Sequence, residues 1–172
     1  AKEYIDKFKD FNENYYLISL GSGGVEKILP IEKTYQLIQY IYIIYKLKPV
    51  IVLNPGQEFL QDKLIQEYLN PNNIEFIKLE KMNLRKLMAL MSVSKFIIVP
   101  DTGLFHMAIA LKVPVFSVFT YTHPNLVKPQ ESIATLCYEE TESNDHFGLP
   151  ICTNQISINK IKMCFDQFIK II

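Results

Sequence analysis

Short apolar runs alternate along this chain with longer segments in which apolar residues recur every three or four positions. Residues 15–20 (YYLISL) are apolar and β-prone, and they stop at Gly21-Ser22-Gly23-Gly24. Pro30 stands where a helix can begin, because its fixed φ suits a first turn. Residues 31–47 then carry a helical stripe of Leu37, Ile38, Ile41, Ile44 and Tyr45. Residues 49–53 read as a buried strand, Asn54-Pro55-Gly56 as a turn, residues 57–69 as a helix ended by Asn70-Pro71, and residues 74–79 as a short strand. A helix over 84–93 presents Leu84, Leu87, Met88 and Met91 on one face. A strand over 96–99 follows, then a break at Pro100-Asp101-Thr102-Gly103, a helix over 104–111 and a strand over 115–119. Beyond Thr120 the pattern weakens. Residues 120–155 are rich in turn formers and polar side chains, with one strand read at 133–137, and Ser157 is an N-cap for a closing helix over 158–171.

Strands that alternate with helices, and that are themselves continuous apolar runs, predict an α/β fold. Its core is a mostly parallel, doubly wound sheet of about six strands with helices on both faces. The chain has 172 residues, enough for one domain. Tyr and Phe are frequent but fall at core-like spacings.

Charge and cysteine usage narrow the partners. Lys plus Arg is 18 and Asp plus Glu is 18, which gives no basis for wholesale binding to nucleic acid or to an acidic membrane surface. Cys137, Cys152 and Cys164 form no CxxC spacing and read as reduced thiols of a cytoplasmic protein. They and the three histidines lack the close spacing of a zinc site. No uncharged apolar run is long enough to span a membrane as a helix, and residues 1–10 are charged and amphipathic without the apolar stretch of a secretory signal.

In a doubly wound sheet, ligands bind beyond the carboxyl ends of the strands at the point where strand order reverses, normally between the first and fourth strands. The loops after those strands are the ones to inspect. The first, GSGGVEK at 21–27, has three glycines that permit positive φ and close approach to the backbone, a hydroxyl on Ser22 and a cation on Lys27. It matches neither GxxxxGK[ST] nor GxGxxG. The second, VPDTGLFH at 99–106, sets Asp101 and Thr102 at the mouth of a helix. There, backbone N–H groups and the helix dipole favour a phosphate, and Gly103 adds no bulk. His106 lies one turn on and can face the same ligand. A purely structural account of this loop, with Asp101 capping the helix and His106 partly buried and hydrogen-bonded, fits the spacing equally well. A third loop, Thr120-Tyr121-Thr122-His123-Pro124 and on to Lys128-Pro129, is a semi-rigid polar loop at the same sheet edge.

Together these segments resemble the C-terminal half of the bacterial heptosyltransferases, a family of GT-B glycosyltransferases. The stretch PDTGLFHMAIALKVPVFSVFTYTHP, residues 100–124, carries the likeness through its Asp-Thr-Gly block, the following His, the small-residue helix, the Pro-led strand and the Thr-rich loop. GSGGVEKILP at 21–30 and NPGQE at 54–58 support it, and the likeness covers about residues 15–135. Leu29 stands where many relatives carry an aromatic residue, and glycines stand where their phosphate loop often has threonines.

The resemblance implies a single Rossmann-like domain over residues 1–172, the donor-binding half of a two-domain enzyme. It places Ser22 and Gly23 at the donor phosphates, with Lys27 reaching the same charge or the sugar. Glu58 falls near the nucleoside, Asp101 at the transferred sugar, and Thr102, Gly103 and His106 around the diphosphate. The implied donor is ADP-heptose and the acceptor is the lipopolysaccharide core. Catalysis would need no metal or cofactor, and both acceptor and catalytic base would belong to an N-terminal domain outside this chain. The implied location is the cytoplasm, with peripheral contact at the inner membrane. Three other readings of the residues stand beside this one: a nucleotide-binding domain without catalysis, a scaffold protein on the same frame, and a sugar-nucleotide epimerase-like domain, which the Asp-Thr-Gly-x-x-His block fits less well.

Overall fold

The computed structural model describes residues 14–127 and 133–172. Six parallel strands form one sheet: β1 (Tyr15–Ser19), β2 (Lys48–Val52), β3 (Ile77–Lys78), β4 (Ile97–Ile98), β5 (Val115–Phe119) and β6 (Ala134–Tyr138). Their order is β3-β2-β1-β4-β5-β6, the Rossmann arrangement, so the chain reverses direction across the sheet between β1 and β4 as the sequence predicts. Both neighbours of β1 are in register with it: Leu17 is opposite Val50 on one side and Ile97 on the other.

Alternation along the strands feeds two cores. Tyr16, Ile18, Ile51, Phe116 and Val118 face one side, where α1 (Ile31–Tyr45), α2 (Glu58–Leu64) and α5 (Ile158–Ile169) pack. Leu17, Val50, Val52, Ile97, Val99 and Val115 face the other, under α3 (Leu84–Ser92) and α4 (Gly103–Ala110). On the first side, rings of Phe96, Phe116, Phe165 and Phe168 meet at centroid separations of 5.3 to 5.9 Å.

Several boundaries differ from the sequence pattern. Helix α1 stops at Tyr45 because Lys46 takes φ 57, a left-handed terminating conformation, and Ile44 of the expected buried stripe is 55% exposed. The helix expected over 57–69 is α-helical only to Leu64 and continues as a π-helical stretch, Ile65–Leu69. Ser157 caps α5 as expected, accepting the N–H of Lys160.

The largest departure lies in the stretch read as irregular. There β7 (Glu140–Asn144) pairs antiparallel with β8 (Pro150–Cys152). The connecting turn is held by Asp145, whose carboxylate accepts the N–H groups of Phe147 and Leu149, and by Gly148 at φ 79. Residues 1–10, Lys128 and Pro129, singled out in the sequence, lie outside the described residues.

Helices α1 and α5 are joined by one acceptor. Asp166 Oδ1 receives the hydroxyls of Tyr40 and Tyr45, each at 2.7 Å. Burial, and then this carboxylate, push the Tyr45 phenol well above its usual range. Asp166→Ala leaves both hydroxyls to solvent and is expected to cost about 1–2 kcal/mol. A Tm lowered by ~2–8 °C is the corresponding readout, and an unchanged Tm would show that the triad does not contribute.

Candidate functional site

Four loops meet at the carboxyl edge of the sheet, and their side chains tie them together. After β1, Gly21 donates its N–H to Asn54 Oδ1 at 3.2 Å, and Ser19 Oγ donates to the same oxygen at 3.0 Å. Gln57, past the turn after β2, donates through Nε2 to the Ser22 carbonyl at 2.8 Å. Ser22 Oγ in turn donates to the Asp101 carbonyl at 3.2 Å, which fastens the first loop to the one after β4. After β5, Thr120 Oγ1 donates to the Glu26 carbonyl at 2.8 Å.

This bracing explains the glycines better than backbone torsion does. None of Gly21, Gly23 and Gly24 has positive φ; the glycines that do are Gly56 and Gly148. A Cβ on Gly21 would lie 2.7 to 2.8 Å from Asn54 side-chain carbons, so Gly21 is required by the packing of the turn after β2. A Cβ on Gly23 or on Gly103 would meet nothing within 4 Å, so both leave their backbone open to the cleft.

That cleft has a volume of about 460 Å³ and is walled by Ser22, Gly23, Lys27, Asp101, Thr102, Gly103 and His106, with Gly24 and Glu26. Seven of the eight residues singled out in the sequence are therefore brought to one place. Helix α4 opens on it with Thr102 as N-cap. Thr102 Oγ1 makes no capping bond and is buried without a hydrogen-bond partner, a donor and acceptor held at the helix mouth. Free N–H groups at a helix mouth and the helix dipole favour an anion there, in a cleft whose charged walls are Lys27, Asp101 and Glu26.

The capping account of Asp101 does not hold. Its carboxylate turns across the cleft, where Oδ2 receives Lys27 Nζ at 2.7 Å and Thr122 Oγ1 at 2.7 Å. His106, read as partly buried in that account, is exposed, with its ring edge-on to Phe105 at 5.3 Å. Lys27 is the more exposed partner of the pair, at 30%, and Asp101, 9% exposed, the buried one.

Glu58, the eighth residue, lines neither this cleft nor its neighbour. It is exposed at the start of α2, and its Oε1 accepts the Gly56 N–H at 3.1 Å. Its own N–H and that of Gly56 hold the carboxyl below the usual carboxylate range, helped by the charge of Lys81.

Lys81 leads to a feature that the sequence pattern does not single out. A second cleft of about 320 Å³ is lined by Val52, Leu53, Pro55, Leu79, Met82 and Leu104 together with Asn54, Lys81 and others, and most of its wall is aliphatic. Leu104 follows Gly103, and Asn54 holds Gly21, so the apolar cleft adjoins the polar one along the mouth of α4. Its walls come from three separate segments, which is why no single motif announces it. A flat apolar group fits beside a charged one in this pair of clefts.

Among the described residues, no group of three or more His, Cys, Asp or Glu side chains is placed to hold a metal ion. No helix among them is long and apolar enough to cross a membrane.

Comparison with known proteins agrees with this frame. A lipopolysaccharide core heptosyltransferase of Haemophilus influenzae, OpsX, is 28% identical over 153 residues, which cover 86% of this chain and 42% of that protein. A family 9 glycosyltransferase of Veillonella parvula has a similar structure with TM-score 0.78 at 18% identity, covering 99% of this chain and 50% of its own. The E. coli heptosyltransferase WaaC, solved with ADP, gives 0.72 at 21% identity, covering 92% and 45%. The chain thus spans half or less of the length of each of these relatives. The sequence profile of glycosyltransferase family 9 (heptosyltransferase) matches residues 1–150, most of the chain, and the chain belongs to that family.

Proposed function

We propose that residues 1–172 form the donor-binding half of a two-domain GT-B glycosyltransferase, which moves a heptose from ADP-heptose to a lipopolysaccharide core acceptor. The observation that carries this reading is the pair of adjoining clefts at the β1/β4 reversal. One is aliphatic and suits a nucleobase; the other has a helix mouth, a buried unpartnered hydroxyl at Thr102 and a lysine, and suits a diphosphate. Family membership and the ADP named with the E. coli structure support the choice of nucleotide.

In this reading the base lies against Leu79, Met82 and Leu104. Glu58, which lies within the electrostatic reach of Lys81 but outside the walls of both clefts, is assigned to the ribose on the family resemblance. The N–H groups of Gly23, Thr102 and Gly103, with the Thr102 hydroxyl, bind the diphosphate, and His106 and Lys27 add donors from its open side. Asp101 accepts a hydroxyl of the sugar. Transfer then proceeds with inversion. The acceptor oxygen attacks the anomeric carbon, the bond from that carbon to the phosphate oxygen breaks, and ADP departs with the electron pair. The acceptor proton passes to a base of the acceptor domain. This chain's share is to stabilise the charge that grows on the leaving diphosphate, through donors already aimed at it. The acceptor domain lies outside these residues. The enzyme acts on the cytoplasmic side, with peripheral contact at the inner membrane.

Calorimetric titration with ADP, UDP and GDP tests the reading. ADP is expected to bind selectively, and a Thr102→Ala/His106→Ala double variant to weaken it by about tenfold or more, since two hydrogen bonds to a charged group are lost. Tighter binding of UDP or GDP would keep the fold and overturn the donor. No binding of any of the three at millimolar concentration would overturn the donor-domain reading.

A further inference from the structure

Asp101 is held in an unusual way for a carboxylate at a binding cleft. Both of its side-chain hydrogen bonds, from Lys27 and from Thr122, fall on Oδ2. Its other oxygen is thereby left as the one available to a ligand. The two partners differ physically. Lys27 is a long, partly exposed cation, and a bound diphosphate competes with Asp101 for its charge. Thr122 is short, and its χ1 is stiff.

Thr122 also stands on a loop fixed on both sides. Before it, Thr120 Oγ1 holds the Glu26 carbonyl, and the Tyr121 carbonyl accepts the N–H of Cys152 at 2.9 Å. After it, His123 is buried, 5% exposed, with Nδ1 accepting the Asn125 N–H at 3.2 Å. That contact leaves the proton on Nε2, which donates to Glu140 Oε1 at 3.0 Å. The strand ribbon β7–β8 therefore braces this loop through Cys152 and Glu140.

We propose that Thr122 is a positioning residue for the donor sugar. Its hydroxyl keeps Asp101 Oδ2 anchored when Lys27 turns to the diphosphate, so that Oδ1 stays aimed at a sugar hydroxyl. The proposal rests on the donor-site reading above. It separates two jobs in one cleft: Lys27 answers to phosphate charge, and the Thr122–Asp101 pair answers to the sugar.

A positioning role has a signature that loss of structure lacks. Thr122→Val keeps the side-chain shape and removes the hydroxyl, and Thr122→Ser keeps the hydroxyl. Affinities of the whole chain for ADP and for ADP-heptose are measured by calorimetry for the wild type and both variants. For Thr122→Val, ADP affinity is expected to stay within about twofold while ADP-heptose affinity falls about tenfold, the scale of one hydrogen bond to a charged group. Thr122→Ser is expected to restore ADP-heptose affinity to within about threefold of wild type. Equal weakening of both ligands in Thr122→Val, or of neither, overturns the positioning role while leaving the donor site in place. So does failure of Thr122→Ser to rescue. A wild-type chain that binds neither ligand overturns the donor-site reading itself, and the proposal with it.

Discussion

Phe165→Ala is expected to destabilise the domain by about 3–5 kcal/mol, the range for removing a fully buried aromatic ring. Phe165 is 0% exposed and sits where three elements converge. Its ring meets Tyr45 of α1 at 5.6 Å, Phe116 of β5 at 5.3 Å, Phe96 just before β4 at 5.7 Å and Phe168 of its own helix at 5.9 Å. Edge-to-face geometry at interplanar angles of 72° with Tyr45 and 88° with Phe116 adds to the area term. The neighbours cannot close around the gap easily, because each is fixed by a strand or by a further ring. A domain stable by roughly 5–15 kcal/mol would lose a large part of its margin. Urea unfolding should show a lower midpoint with an unchanged slope. A loss below about 1 kcal/mol would mean that the aromatic cluster is not what fastens α5 to the sheet.

That cluster was half visible in the sequence. The spacing of Ile158, Ile161, Phe165 and Phe168 identifies an amphipathic helix, and the apolar runs at Tyr16 and Phe116 identify strands. Period alone cannot say which strand a helix covers; the topology decides that. The same division holds elsewhere. Strand β5 stands out because it is buried on both faces and bounded by Pro114 and a polar loop. The ribbon β7–β8 does not, because Glu140-Thr141-Glu142-Ser143-Asn144 lies mostly in solvent and carries no apolar alternation. The two strands are specified by the turn at Asp145 and by ladder bonds, which leave little trace in composition.

The site shows the same limit in sharper form. The loops at 21–27 and 99–106 can be singled out from strand–loop–helix order, since the fold brings the ends of β1 and β4 together. What order cannot show is how side chains spend their donors once they arrive. Lys27 reads as a phosphate cation, and in the structure it lies on Asp101, 74 residues away. Asp101 reads equally as a cap, and the cap position falls to Thr102. Thr122 belongs to a loop that looks like ordinary surface until its hydroxyl is seen on the same carboxylate. Each of these depends on a contact between residues far apart in the chain, and no local pattern encodes it.

Gly103→Val should abolish measurable nucleotide binding at sub-millimolar ligand while leaving the fold intact. Most substitutions that harm a site also harm the protein, but here the two effects separate. Gly103 is the first residue of α4, where helix propensity matters least, and its φ is not positive. A Cβ there touches nothing within 4 Å, so the empty protein has room for the side chain. The space it enters is the cleft, at the N–H groups of the helix mouth where the proposed reading puts the diphosphate. Two added methyls would hold phosphate oxygens away from those N–H groups, which weaken steeply beyond ordinary hydrogen-bond length. Affinity is expected to fall by more than about 50-fold, as when several charge-assisted bonds are lost at once, while the Tm stays within about 2 °C of wild type. Calorimetry with ADP and a thermal melt on the same sample decide it. Undiminished binding would move the diphosphate away from the α4 mouth and leave Thr102 and His106 without the role assigned to them. A collapsed Tm would mean that Gly103 serves packing. Only loss of binding with an unchanged melt fits a residue kept small so that a ligand can reach its backbone.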